Sequence, residues 1–232
     1  MTLHSMHHGG ATRNKLVRVA SAGFGEAPRG RLPAAAPPLP GGCDVAFAWA
    51  DARPESITAA RDWLRRACAA QGLAVLLAPP SAGGAGAADA VRLELPADAA
   101  ERLPVAATID GLTLLLTETG AVCVEPDDLR FALGRGGRVA LAAVAAHGSE
   151  RAPRALDELF ARLAAQGAEP GRYRRVAVAV LTDTELPSAE FELIHERIRR
   201  WLHPAGLPLL GARRGAGAAG WLEIRALAVA DT

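Results

Sequence analysis

The feature that most restricts how this chain can fold is the regular alternation of apolar segments between Val139 and Val229. Four short segments read as strands: Val139–Ala146, Arg175–Leu181, Leu207–Leu210 and Trp221–Val229. Two longer ones, Pro153–Gln166 and Ser188–Leu202, read as helices. Leu156, Leu159, Phe160 and Leu163 form one apolar stripe at helical spacing, and Phe191, Ile194, Ile198, Trp201 and Leu202 form another. Each stripe has to be buried, so both helices are expected on one face of a four-stranded sheet. Trp221, Glu223 and Arg225 alternate with Leu222, Ile224 and Ala226, the pattern of a strand with unlike faces.

The first half is less regular. Lys15–Ala20 reads as a short strand and Gly23-Phe24-Gly25 as a turn. The segment Leu32–Gly42 cannot be regular helix, because Pro33, Pro37, Pro38 and Pro40 remove backbone donors. Asp44–Ala50 has the character of a buried strand. Pro54-Glu55-Ser56 opens a helix with Ile57, Ala60, Leu64, Ala67 and Cys68 on one face, stopped by Gly72 before a strand Leu73–Ala78. A strand, a helix and a strand in that order make a crossover, so the two strands should be parallel. A Ser/Gly/Ala run, Ser81–Ala88, precedes a strand Val91–Leu95, and Asp98–Thr119 reads mostly as helix, weakened in its middle by Pro104 and Gly111. The fold class is α/β, in three parts: an irregular segment 1–43, a reduced parallel-sheet domain 44–119 with a connecting helix, and an α+β domain 120–232 with a four-stranded mixed sheet and two helices.

With 232 residues and 50% hydrophobic content the chain can bury a core in one large or two small domains. A net charge of +1 with dispersed basic residues gives no overall field favouring nucleic acid or a membrane surface. No apolar run reaches the roughly 20 residues that span a bilayer, and the polar N-terminus, crowded with His4, His7 and His8, has none of the marks of a signal peptide. A cytoplasmic location is expected. Cys43, Cys68 and Cys123 are far apart in sequence and suggest neither a disulfide framework nor a metal site, so they read as reduced structural thiols. No metal is expected.

Between the two halves lies Gly120-Ala121-Val122-Cys123-Val124-Glu125-Pro126-Asp127-Asp128-Leu129, three carboxylates between two segments that must be buried. This stretch resembles the start of the C-terminal half of FtsZ, the bacterial tubulin homologue, whose pattern is close to G-L-I-N-V-D-F-A-D-V. Gly137-Arg138-Val139-Ala140-Leu141 and Gly148-Ser149-Glu150-Arg151-Ala152 are similar to the family's G-(K/R)-A-(M/L)-M-G-x-G and G-x-x-R-A. Val178–Asp183, Glu185-Leu186 with Phe191-Glu192, and His203-Pro204 with Leu209–Ala212 continue the resemblance, which covers about Asp110–Ala230. The resemblance implies that Glu125 and Asp128 occupy the acidic positions of the synergy loop, which in the family reaches the GTP pocket of the next subunit and completes its hydrolytic site. Cys123 stands where the family has Asn.

The N-terminal half departs from the same pattern. Asp44–Ala50 resembles the strand leading into the signature G-G-G-T-G-T-G, yet the next residues are Asp51-Ala52-Arg53-Pro54-Glu55-Ser56-Ile57. A Gly-rich loop before a helix lets backbone N–H groups approach phosphate oxygens; here two acids bring like charge and Pro54 removes a donor. Gly23–Pro28 either corresponds to the family's G-L-G-A-G-x-x-P loop or is a chance glycine-containing turn, and either way the family's first strand and its Gly-rich phosphate loop are missing or unrecognisable. The Ser81–Ala88 run replaces a segment with nucleotide contacts in the family. The resemblance runs out at Thr232, with no counterpart of the linker and peptide by which FtsZ meets its membrane anchors.

Two readings of Glu125 and Asp128 stand side by side: a loop that positions water on a partner's GTP, or an acidic helix start in which Asp127 or Asp128 caps the next turn. His147, His195 and His203 have no accompanying nucleophile motif and read as surface or capping residues. Asp183 and Glu185 suit a ligand or a helix-entering loop equally. What the resemblance implies is a degenerate FtsZ-like cell-division protein that has lost its own GTP pocket. It would dock on an FtsZ-type filament end and modulate or cap it, contributing to GTP hydrolysis only in trans, with no cofactor of its own and no long filaments of itself. The alternatives are a GTP-binding GTPase with a rearranged pocket, and a non-enzymatic interaction module or decaying paralogue.

Overall fold

The computed structural model describes residues 17–24, 42–80, 90–95, 103–117, 124–215 and 217–230. In chain order these form β1 (Val19–Phe24), β2 (Cys43–Ala50), α1 (Pro54–Ala67), β3 (Cys68–Ala78), β4 (Val91–Glu94), α2 (Leu103–Thr117), α3 (Pro126–Leu133), β5 (Gly136–His147), α4 (Arg151–Ala165), β6 (Tyr173–Thr182), α5 (Ser188–Trp201), β7 (Leu207–Arg214) and β8 (Trp221–Ala230). The strands make one sheet in the order β1-β2-β3-β4-β5-β8-β6-β7. β1 to β5 are mutually parallel, β8 is antiparallel to both β5 and β6, and β7 is parallel to β6. Among the described strands, seven therefore run one way and β8 runs the other.

The expected crossover β2-α1-β3 is present with parallel strands, as is the four-stranded mixed sheet β5-β8-β6-β7. That sheet continues into β1 to β4 through a short ladder pairing Arg92, Leu93 and Glu94 with Gly136, Gly137 and Arg138. Period-2 burial then divides the molecule into layers. Ala140, Ala142 and Val144 of β5, Val176 and Val178 of β6, and Ile224 of β8 face α4 and α5, packing with Leu156, Leu159, Leu163, Ile194 and Ile198. On the same side Ala46, Ala48 and Leu76 meet Ile57, Ala60 and Leu64 of α1. The other side, with Val45, Phe47, Val75, Leu93, Leu141, Ala177 and Leu227, is covered by Ile109, Leu112 and Leu116 of α2 and Leu129 and Leu133 of α3. Burying a side chain such as Leu or Phe contributes about 1.5–3 kcal/mol, so these faces fix the register of the sheet.

Three expectations change in detail. α2 starts at Leu103, which puts Pro104 in the first turn, where a missing N–H has no partner to lose; it does not interrupt the helix. A first strand does exist: β1 begins at Val19 and takes in Gly23 and Phe24, because pairing with β2 reaches Phe24↔Ala50. α1 ends at Ala67 and the chain enters β3 at Cys68, so Cys68 belongs to a strand and Gly72 lies inside it. His4, His7 and His8, Gly25–Pro28, Pro33–Pro40, Ser81–Ala88 and Cys123 lie outside the described residues.

Candidate functional site

α3 is built by local rules. Glu125 is extended, Pro126 opens the helix, and Asp127 and Asp128 fall in its first turn, where the helix dipole favours negative charge. The Oδ2 of Asp128 accepts the N–H of Glu125 at 2.9 Å, one half of a capping box. Asp127 pairs with Arg130. At the other end Gly134 adopts a φ of 54° and donates its N–H to the carbonyl of Arg130 at 2.9 Å. Leu129, Ala132 and Leu133 are buried, leaving Glu125, Asp127, Asp128 and Phe131 on an exposed face. Phe131 is 64% exposed, an unusual position for a large aromatic beside three acids.

Topology places this face. α3 leads through a tight turn into the first residue of β5, and Arg130 NH2 donates to the carbonyl of Gln71, near the start of β3, at 2.9 Å. It therefore sits at the amino edge of the parallel strands. α1, by contrast, follows the last residue of β2 and starts at the carboxyl edge. The two positions singled out in the sequence lie at opposite edges of one sheet.

At the carboxyl edge the approach to α1 is filled by its own contacts. The Asp51 carboxylate accepts Arg53 N–H at 3.1 Å and Arg53 Nε at 2.8 Å. Pro54 supplies no donor and Glu55 adds a second acid in the first turn. Arg53 and Asp51 are thus paired with each other at this edge.

One group of residues was not foreseen as a unit. Arg151, 8% exposed at the start of α4, bridges to both carboxylate oxygens of Glu190 at 2.9 and 2.8 Å. Its NH1 also reaches Asp183 at 3.0 Å and the Trp221 carbonyl at 2.9 Å. The second oxygen of Asp183 accepts the Gly220 N–H at 2.7 Å. That backbone donor and the guanidinium hold the Asp183 carboxyl below the usual carboxylate range. Arg151 thus ties α4 to α5, to the start of β8 and to Asp183 just after β6; Glu185 beside Asp183 is exposed. The available signal was Arg151 within Gly148-Ser149-Glu150-Arg151-Ala152.

Among the described residues, His147, His195 and His203 lie apart from one another. His147 is exposed at the end of β5, paired in the ladder with Trp221. His195 is exposed on α5, and His203 accepts the Ala205 N–H at 3.1 Å in the turn before β7. Among the described residues no group of three or more His, Cys, Asp or Glu side chains could hold a metal ion, and no described helix is long and apolar enough to cross a membrane.

No family model and no curated protein matches the sequence. Solved structures do share its architecture. An FtsZ dimer from M. jannaschii is 15% identical, with a TM-score of 0.53 over 80% of this chain and 54% of that one. CetZ from Methanosaeta thermophila is 15% identical, with a TM-score of 0.54 over 83% of this chain and 64% of that one. TubZ from Bacillus thuringiensis serovar israelensis, in GDP-form protofilaments, is 9% identical, with a TM-score of 0.50 over 81% and 61%. This chain spans less than two thirds of the length of each. Its mixed sheet, with β8 reversed between β5 and β6 and helices on both faces, is an FtsZ/tubulin-like fold.

Proposed function

We propose that this protein docks through the acidic face of α3 onto the nucleotide-bearing end of an FtsZ-type filament and limits its growth, without a GTP pocket of its own. The observation that carries this reading is the placement of two unlike surfaces at opposite edges of one sheet. A head-to-tail polymer extends only while both of its surfaces work. Glu125, Asp127, Asp128 and Phe131 supply an exposed, chemically distinct face at one edge. At the other, Asp51, Arg53 and Pro54 occupy the approach to α1 with their own charge and a missing donor. A chain with the first surface and not the second would join a filament and stop it. The FtsZ dimer and TubZ protofilaments among the similar structures support the choice of a filament as partner.

Glu125 and Asp128 are the residues proposed to act on the partner's nucleotide, where an oriented carboxylate can position water for phosphoryl transfer. Asp128 keeps one oxygen for this, since Oδ2 is engaged by the Glu125 N–H. The role belongs to the septation machinery on this reading.

Sedimentation of FtsZ with substoichiometric amounts of this protein tests the mechanism. Polymer mass and GTP turnover should both change. Glu125→Gln with Asp128→Asn, which removes the charge and keeps an oxygen at position 128 to accept the Glu125 N–H, should abolish the effect. Unchanged polymer mass and turnover with the unaltered protein would refute capping. A double variant as effective as the parent would remove the acidic face from the account and favour a plain interaction module.

A further inference from the structure

The sequence separates Cys43 and Cys68, and the fold brings them together. They are partners in the β2/β3 ladder, at the start of each strand. Neighbouring strands lie about 4.8 Å apart, inside the Cα separation of about 4.4–6.8 Å that a disulfide needs. Beyond the two cysteines the ladder breaks, resuming with Val45 opposite Leu73, so the segment between Cys68 and Leu73 bulges. Gly72 makes room for the pair: a Cβ there would stand 2.5 Å from Cys68 Sγ. Cys43 is fully buried and Cys68 only partly covered, so a small reagent reaches the pair through Cys68. The interaction with Cys43 and burial push the Cys68 thiol up, an effect that the positive charge of Arg130, bonded to the Gln71 carbonyl in the bulge, partly offsets, while the same interaction lowers the Cys43 thiol; the accessible Cys68 is thus the point of entry and Cys43 the thiol disposed to resolve it.

We propose that Cys43 and Cys68 form a reversible disulfide by exchange with a low-molecular-weight disulfide. The Cys68 thiolate attacks one sulfur of the reagent, forming a mixed disulfide and expelling one small thiolate, which takes up the proton that Cys68 released. Cys43 then attacks the Cys68 sulfur as its thiolate, the bond to the small thiol breaks, and the second small thiolate leaves and is protonated. Two protein thiols are oxidised and one small disulfide is reduced to two thiols. The bond would tie the starts of β2 and β3 at the amino edge, next to the Gln71 carbonyl that Arg130 of α3 holds.

The test uses the whole protein, reduced, freed of reductant and exposed to oxidised glutathione. Trypsin cleaves after Arg61 and Arg66, leaving Cys43 and Cys68 on separate peptides. The expected result is an intact mass lower by two hydrogens, a linked peptide pair containing Cys43 and Cys68, and reversal by dithiothreitol. Cys123→Ser should leave the linkage intact and Cys68→Ser should abolish it. A stable glutathione adduct on Cys68 without linkage, a linkage through Cys123, or no reaction in the unaltered protein would overturn the proposal.

Discussion

Arg151 joins four elements through one guanidinium, and its loss would leave Asp183 and Glu190 facing each other with little water to screen them. Arg151→Leu is expected to lower stability by about 2–3 kcal/mol, measured as a shift in the urea midpoint. The exposed pair Arg162–Glu158 should give under about 1 kcal/mol when Arg162 is replaced in the same way. Asp183 also sets an acid limb. Its carboxyl titrates below its unfolded range of about 3.9, so it binds protons more weakly when folded. Its contribution is complete above that range and is lost as pH falls through the lowered value. Asp183→Asn should therefore flatten the fall in stability below about pH 4, and an acid limb unchanged by the substitution would contradict this assignment.

Gly111 shows how a residue can mislead when read by propensity alone. In a helix interior Gly→Ala normally gains about 1 kcal/mol. Here an added Cβ would lie 2.9 Å from Arg225 Cδ and 3.2 Å from Ala179 Cβ. Arg225 cannot move aside freely, because it holds Glu223 at 2.6 Å and the Ala107 carbonyl at 2.9 Å. Gly111→Ala is expected to cost about 1–2 kcal/mol despite better propensity, and the cost should shrink in an Arg225→Ala background, a coupling that denaturation of the four variants in a double-mutant cycle would read.

At the level of elements, what was legible followed from period. The stripes of α4 and α5 and the alternation of β8 put those elements within a few residues of their observed bounds. β7 runs on to Arg214, further than Leu210, because pairing with β6 extends to Thr182↔Arg214 and overrides the weak strand tendency of Gly211 and the arginines. The polar side of β8 was read as a second face, but not what covers it: α2 lies there, its Leu114 carbonyl taking a bond from Arg213 of β7 at 2.7 Å. Such contacts join residues far apart in sequence and leave no local signal. α3 was legible twice over, as an acidic loop and as a capped helix. Asp128→Ala should destabilise the protein by about 1 kcal/mol, and Asp128→Asn by only a few tenths; equal losses in denaturant titrations would mean that the capping bond contributes nothing.

For the whole molecule, the family pattern in the C-terminal half identified the fold, and the missing glycine signature marked where the chain departs from it. Composition and motif could not show that Glu125 and Asp51 stand at opposite edges of one sheet, since that depends on strand order and direction. The same gap hid the meeting of Cys43 with Cys68. The proposed capping role requires that the carboxyl edge bind no nucleotide, leaving the acidic edge as the working surface. Calorimetric titration of the purified protein with GTP and GDP, at concentrations able to detect dissociation constants up to about 1 mM, tests it most directly. Neither nucleotide is expected to give a heat of binding; saturable binding would overturn the capping role and favour a GTP-binding protein with a rearranged pocket.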